Sequence, residues 1–272
     1  EFSGAKAVAL PLLEEKNFGF DAATVESLVT PKTKLIILNS PGNPTAGLLP
    51  EEVVRGVAEI ARKHNIFVLA DEIYSRILYD GAKFFSIASL PGMFERTCIL
   101  DGFSKTYSMT GWRMGWGVMP KEVAQRLTQL AINFNSCVSA FSQVAGVEAL
   151  EGDQSSVDRM VRDFDARRLL IVDGLNKLPG VRCRMPGGAF YAFPNITETG
   201  MPSREIARRL LEEAGVATLP GTAFGRYGEG FIRLSFATSQ DNIREALSRM
   251  AGFLRSKSRR SHAATGAPPK LR

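Results

Sequence analysis

Lys105 stands in the run Asp101-Gly102-Phe103-Ser104-Lys105-Thr106-Tyr107-Ser108-Met109-Thr110-Gly111-Trp112-Arg113. A lysine that attacks a carbonyl needs a site poor in water and a second cation nearby, both of which favour the neutral amine. The apolar run 97–100 reads as a buried strand that delivers Lys105 to a loop, and the run 114–119 reads as a second buried strand directly after Arg113. Two further apolar runs end in polar residues of the same kind. Residues 35–38 lead into Asn39-Ser40-Pro41-Gly42-Asn43-Pro44-Thr45, and residues 67–70 lead into Asp71-Glu72-Ile73-Tyr74. Ligands of open α/β sheets gather at the carboxyl ends of the strands. An amide, a carboxylate with a phenol three residues on, and a lysine are therefore expected to converge. Each residue alone has a plainer reading: Pro-Gly-Asn-Pro as a turn, Asp71 as a helix cap, Tyr74 as a packing aromatic, Arg113 and Arg233 as surface ion pairs. Their joint occurrence in this order favours chemistry.

The elements that must position these groups alternate in the first half. A strand at 35–39 precedes a helix at 50–64, whose Val53, Val54, Val57, Ile60 and Ala61 form one apolar stripe and whose Pro50, Glu51 and Glu52 suit a first turn. The strand at 66–70 is continuously apolar and reads as buried on both faces. Strands at 97–100 and 114–119 and helices at 121–134 and 140–150 complete a mostly parallel sheet sandwiched by helices. A long helix at 156–178 then leads to short strands (181–184, 189–193), a helix (203–214), strands (216–219, 230–236) and a final helix (240–254). This reads as an α/β domain over residues 1–160, a smaller α+β domain over 161–256 and a disordered basic tail over 257–272.

The chain has 272 residues, 44% of them hydrophobic, enough for a sizeable core. The three cysteines, Cys98, Cys137 and Cys183, are odd in number and far apart, as expected of thiols in a reducing cytoplasm. Two histidines, His64 and His262, support neither a zinc cluster nor a histidine triad, so no metal site is expected. His64 suits the end of a helix. No apolar run approaches a membrane span. The net charge of +6 comes from six cations after residue 254, which leave 28 basic and 28 acidic residues in the body. No aromatic is interleaved with those cations to stack on bases, so a solvated end is favoured over a nucleic-acid contact.

The motifs Asn39-Ser-Pro-Gly-Asn-Pro-Thr45, Asp71-Glu-Ile-Tyr74, Ser104-Lys-Thr-Tyr-Ser-Met-Thr-Gly-Trp-Arg113, Pro186-Gly-Gly-Ala-Phe-Tyr191 and Phe231-Ile-Arg-Leu-Ser-Phe236 resemble the class I/II aminotransferases of fold type I, which use pyridoxal 5′-phosphate. The likeness spans roughly residues 1 to 254. It implies that Lys105 holds the cofactor as a Schiff base and then shuttles the substrate proton. It implies that Asp71 pairs with the pyridinium nitrogen, that Asn43 and Tyr74 bond the phenolic oxygen, and that Ser104 and Arg113 hold the phosphate. Arg233, with Asn43, would bind the substrate carboxylate. The implied reaction moves an amino group from an L-amino acid to a 2-oxo acid, of the aspartate, alanine or aromatic type, in a cytoplasmic homodimer. Other reactions on this fold (β-lyase, decarboxylase, synthase), or an effector domain of a transcriptional regulator, are alternatives.

Three departures stand out. Ala46 occupies a usual glycine position, a mild change if φ there is negative. Gly102 stands where many relatives have a phosphate-binding serine. Relatives also carry a long N-terminal portion ahead of the matched residues, with part of the cofactor pocket. A chain without it is expected to expose a sheet edge and apolar surface, and by itself to be a poor catalyst.

Overall fold

The computed structural model describes residues 4–265, with side chains as far as residue 256. The chain divides into two compact units, residues 1–162 with Gly187–Ala189, and residues 163–186 with 190–272, so the division falls within a helix.

In the first unit, α1 (Ala22–Leu28) precedes β1 (Leu35–Asn39), α2 (Glu51–Lys63), β2 (Phe67–Asp71), β3 (Thr97–Gly102), the one-turn α3 (Phe103–Thr106), β4 (Gly115–Val118), α4 (Lys121–Phe134), α5 (Ala140–Glu151) and the start of α6 (Ser155–Asn176). The sheet order is β1-β2-β3-β4; the first three strands are parallel and β4 is antiparallel to β3. The stripe on α2 does what its spacing predicts. Val54, Val57, Ala58, Ile60 and Ala61 pack with Phe20 and Val25 against Leu38, Val68 and Ala70. Pro50 and His64 cap the helix, and the His64 ring lies 2.8 Å from a Glu26 carboxylate oxygen.

Two expectations about the sheet are corrected. β2 alternates instead of being buried on both faces, because α2 covers only the face that carries Val68 and Ala70. On the other face Leu35, Ile37, Phe67 and Leu100 are exposed, Ile37 by 66%. The run 114–119, read as a buried strand, is largely an exposed edge. Its glycines serve a crossing: a Cβ on Gly102 would lie 2.8 Å from the Gly115 Cα.

In the second unit β5 (Tyr191–Ala192), β7 (Ile232–Ser235) and β6 (Leu219–Pro220) form an antiparallel sheet in that spatial order, with α7 (Ser203–Ala214) and α8 (Gln240–Thr265). Ile232, Leu234 and Phe236 are buried on one face of β7, while Arg233 and Ser235 alternate to the other. The expected strand at 181–184 is reduced to one bridge between Arg182 and Asn195, since neighbouring bonds go to the Asn176 side chain instead. Arg168 on α6 is fully buried; it binds Asp165 and donates to the Pro186 carbonyl at 2.9 Å. The last helix continues beyond 254, where its apolar stripe ends, into the segment read as a disordered tail; residues 266–272 of that tail lie outside the described residues. None of the three cysteines is in a disulfide.

Candidate active site

The register of the parallel strands decides which polar residues meet. Asn39 is the partner of Asp71, and Asp71 of Leu100, so the carboxyl ends of β1, β2 and β3 lie side by side. Asn39 and Asp71 follow Ile37 and Leu69 on the face away from α2. The Asp71 carboxylate accepts from the Ile73 amide at 3.3 Å, which turns the chain sharply after the strand. Tyr74 is thereby folded in and buried, at 2% exposure.

β3 ends in the tight Gly102–Gly115 crossing, and α3 fills the connection. Lys105 on α3 is half-buried, with its Nζ 6.0 Å from the centre of the Tyr74 ring. Phe103 and Met114 anchor this connection below, with the Trp116 ring edge-on to Phe103 at 4.9 Å. Gly102 is explained by the same packing, since a serine there would press its Cβ on the Gly115 backbone.

The loop from Asn39 is fastened at several points. The Asn43 amide donates to the Asn39 side chain at 2.7 Å, the Ala46 amide to Gly42 at 2.8 Å, and the Leu49 amide to the Ser40 hydroxyl at 2.9 Å. The Ala46 carbonyl accepts from both Gly187 and Gly188. Ala46 has φ +56° and is fully buried, so the condition for a mild change is not met: it is a left-handed alanine. Asn43 itself is exposed.

Lys105 and Tyr74 are thus neighbours, and Asn43 and Asp71 lie at the adjoining strand ends. Ser104 is half-buried beside Lys105 on α3. Arg113 is less closely joined. It is exposed, left-handed at φ +53°, and its guanidinium donates to the Thr110 carbonyl at 2.9 Å, not to Ser104. Arg233 belongs to the second unit, where its Cζ lies 4.6 Å from the Tyr191 ring centre and 4.9 Å from that of Phe224.

Two carboxyl groups beside the site were not singled out from sequence. Glu72 is buried and accepts from the Ser86 hydroxyl at 2.6 Å, and Asp101 accepts from the Gly102 amide at 2.6 Å. Burial pushes both above the usual carboxylate range, and the Asp71 charge adds to the effect in each. Asp101 carried the signal that marked Asp71: an acid at the end of an apolar strand.

The donor set fits pyridoxal phosphate: an amine for its aldehyde, a carboxylate for its ring nitrogen, and a phenol and an amide for its ring oxygen, all at adjacent strand ends. Among the described residues no group of acidic, histidine or cysteine side chains could hold a metal ion, and no helix is long and apolar enough to cross a membrane.

The sequence model described as aminotransferase class I and II matches residues 1–250. An aromatic-amino-acid aminotransferase 2 of Thermococcus litoralis is 40% identical over 257 residues, 94% of this chain and 66% of its own length. An aspartate aminotransferase of Pyrococcus abyssi is 41% identical over the same shares. The crystal structure of an aromatic aminotransferase from Pyrococcus horikoshii OT3 superposes with a TM-score of 0.91 at 39% identity, covering 94% of this chain and 69% of that one. The chain therefore spans just under two thirds of the length of these curated relatives.

Proposed function

The chain belongs to the class I and II aminotransferases, and from that premise we propose that it serves a pyridoxal-phosphate-dependent transfer of an amino group from an L-amino acid to a 2-oxo acid, of the aspartate, alanine or aromatic type. The observation that carries this reading is the placement of Lys105, Tyr74 and Asp71 at the ends of adjacent strands. When bound, pyridoxal phosphate supplies an electron sink for the bond broken at the substrate Cα.

In this reading the Lys105 Nζ would hold the cofactor, and its amine would carry the proton to and from the substrate carbon. Asp71 holds a proton on the ring nitrogen by charge pairing. Tyr74 and Asn43 bond the ring oxygen, and Ser104 and Arg113 receive the phosphate through charge-assisted bonds. Arg233 binds the substrate carboxylate as a planar fork. The exposed apolar faces support a homodimer, and three cysteines outside any disulfide suit a cytoplasmic setting.

The test is to incubate the chain with pyridoxal phosphate, reduce with borohydride and map the modified lysine by mass spectrometry. One label per chain at Lys105 is expected, and none in Lys105→Ala. Labelling scattered over surface lysines would sink the assignment of Lys105. With an L-amino acid added before reduction, the matching oxo acid should be released and the label lost. Release of ammonia or carbon dioxide instead would replace transamination by another reaction.

A further inference from the structure

The chain returns to the first unit for three residues, Gly187–Ala189, between stretches that belong to the second. Both edges of this short strap are bonded within the first unit. On one edge the Gly187 and Gly188 amides donate to the Ala46 carbonyl at 3.0 and 3.3 Å. On the other, Gly188 forms an antiparallel bridge with Leu78, the Ala189 amide donates to the Ile77 carbonyl at 2.9 Å, and the Gly187 carbonyl accepts from the Tyr79 amide at 3.4 Å. The strap therefore lies between two segments as a middle strand lies in a sheet. The fit leaves no room for a side chain at its centre. A Cβ on Gly188 would lie 2.5 Å from the Pro41 ring and 2.8 Å from the Ile77 carbonyl oxygen.

Each of the two segments leads to one residue of the site. The Ala46 amide donates to the Gly42 carbonyl at 2.8 Å, which closes the turn that carries Asn43. The Ile77 amide donates to the Tyr74 carbonyl at 2.9 Å, so Tyr74 is one turn away from the strap. A single side chain completes the arrangement. Tyr79 is buried, at 3% exposure, and its hydroxyl donates to the Ala189 carbonyl. Ala189 is fully buried and left-handed at φ +56°, as Ala46 is on the other edge. Two strained alanines in one small region persist only where their surroundings over-determine them, and such strain gathers where geometry serves function.

We propose that Tyr79 is a positioning residue for the cofactor's ring oxygen. Its hydroxyl sets the strap, and the strap holds the Asn43 turn on one edge and the Tyr74 turn on the other. The inference rests on the reading of Asn43 and Tyr74 as the groups that bond that oxygen. Donors on the oxygen draw off charge that would otherwise hold the proton on the neighbouring imine, so keeping them in place keeps that proton weakly bound. A buried hydroxyl that acts through the backbone of two turns does this without touching the cofactor.

The test compares the wild-type chain with Tyr79→Phe, which keeps the ring and removes the hydroxyl. Without cofactor, amide hydrogen exchange read by mass spectrometry should quicken about fivefold in the peptides covering residues 40–48 and 186–190, the weight of one hydrogen bond, with α2 unchanged. Gly188→Ala, which presses on the strap from the Pro41 side, should quicken the same peptides and the one covering 73–80 with Tyr79 intact. With pyridoxal phosphate bound, the pH midpoint of its visible absorbance should rise in Tyr79→Phe, in the direction of Tyr74→Phe but by less. Unchanged exchange in Tyr79→Phe overturns the proposal, as does a midpoint that Tyr74→Phe raises and Tyr79→Phe leaves in place. Equal loss of protection in α2 would reduce Tyr79 to a core residue and overturn it too. A midpoint that Tyr74→Phe itself leaves in place overturns the ring-oxygen reading instead, and the exchange result then still decides whether Tyr79 sets the strap.

Discussion

Ala46 shows how one residue can fasten two motifs. Its left-handed backbone turns the carbonyl toward Gly187 and Gly188, and so ties the Asn43 loop to these two glycines. The left-handed conformation costs an alanine about 1–2 kcal/mol. A glycine would avoid that cost but lose the buried methyl, about 0.8 kcal/mol, and order a more mobile unfolded chain, about 0.5–1 kcal/mol. Ala46→Gly should therefore change stability by less than about 1 kcal/mol. Ala46→Val, β-branched at positive φ in a full site, should lose more than about 2 kcal/mol. Urea denaturation of both variants checks this. Glu72 gives a pH test. Its folded carboxyl binds protons more tightly than in the unfolded chain, chiefly because it is buried, so its ionisation opposes folding. Its contribution to stability therefore falls as pH rises above the ordinary carboxylate range. Glu72→Gln keeps an oxygen for the Ser86 hydroxyl and removes that ionisation. The variant should gain in melting temperature relative to wild type as pH is raised from mildly acid to neutral. A constant difference across that range would refute the assignment.

At the scale of elements, α7 has an N-terminus completed from a distance. Glu229 accepts from the Ser203 amide at 2.8 Å and the Ser203 hydroxyl at 2.9 Å, and its charge faces the positive end of the helix. These bonds hold its carboxylate below the usual range, so the stabilisation is present at neutral pH and lost as pH falls through that lowered value. Glu229→Ala should cost about 1 kcal/mol at pH 7, the ordinary worth of an N-terminal cap. Denaturation at neutral and acid pH should show the two proteins converging in acid. The α2 stripe, the start of α7 at Ser203 and the bounds of α4 were legible from periodicity and capping residues. The extents of the two-residue strands β5 and β6 were not: the runs 189–193 and 216–219 read as longer strands, because a strand that short has no period to mark its ends.

At the scale of the molecule, the open surface is what distinguishes this chain. Leu35, Ile37, Phe67 and Leu100 are exposed on the sheet, as are Leu130, Ile132 and Phe134 on α4 and Phe141, Val144 and Val147 on α5. Exposed apolar groups grouped on a sheet face and on helices mark surfaces that other polypeptide covers. The purified chain should self-associate as its concentration rises through the micromolar range, by sedimentation velocity. Ile37→Lys combined with Phe134→Ser, both at exposed positions, should weaken that association without loss of helix content. A wild-type chain that stays monomeric would contradict it.

The sequence by itself determined which polar side chains stand at the strand ends. Lys105, Asp71, Tyr74 and Asn43 were legible because each follows an apolar strand or a turn signal, and local patterning alone puts such residues at strand ends. It also determined the parallel β1-α2-β2 unit, whose apolar period has one solution. Tertiary structure decided what depends on contacts distant in sequence. Only packing shows that β2 is covered on one face, that the run after Arg113 is an antiparallel edge, and that Arg113 bonds Thr110. Only packing gives Ala46 its positive φ, buries Glu72 and half-buries Asp101 beside Asp71, and brings Phe224 to Arg233. Burial, backbone handedness and the company of a charge arise from neighbours that no local window contains.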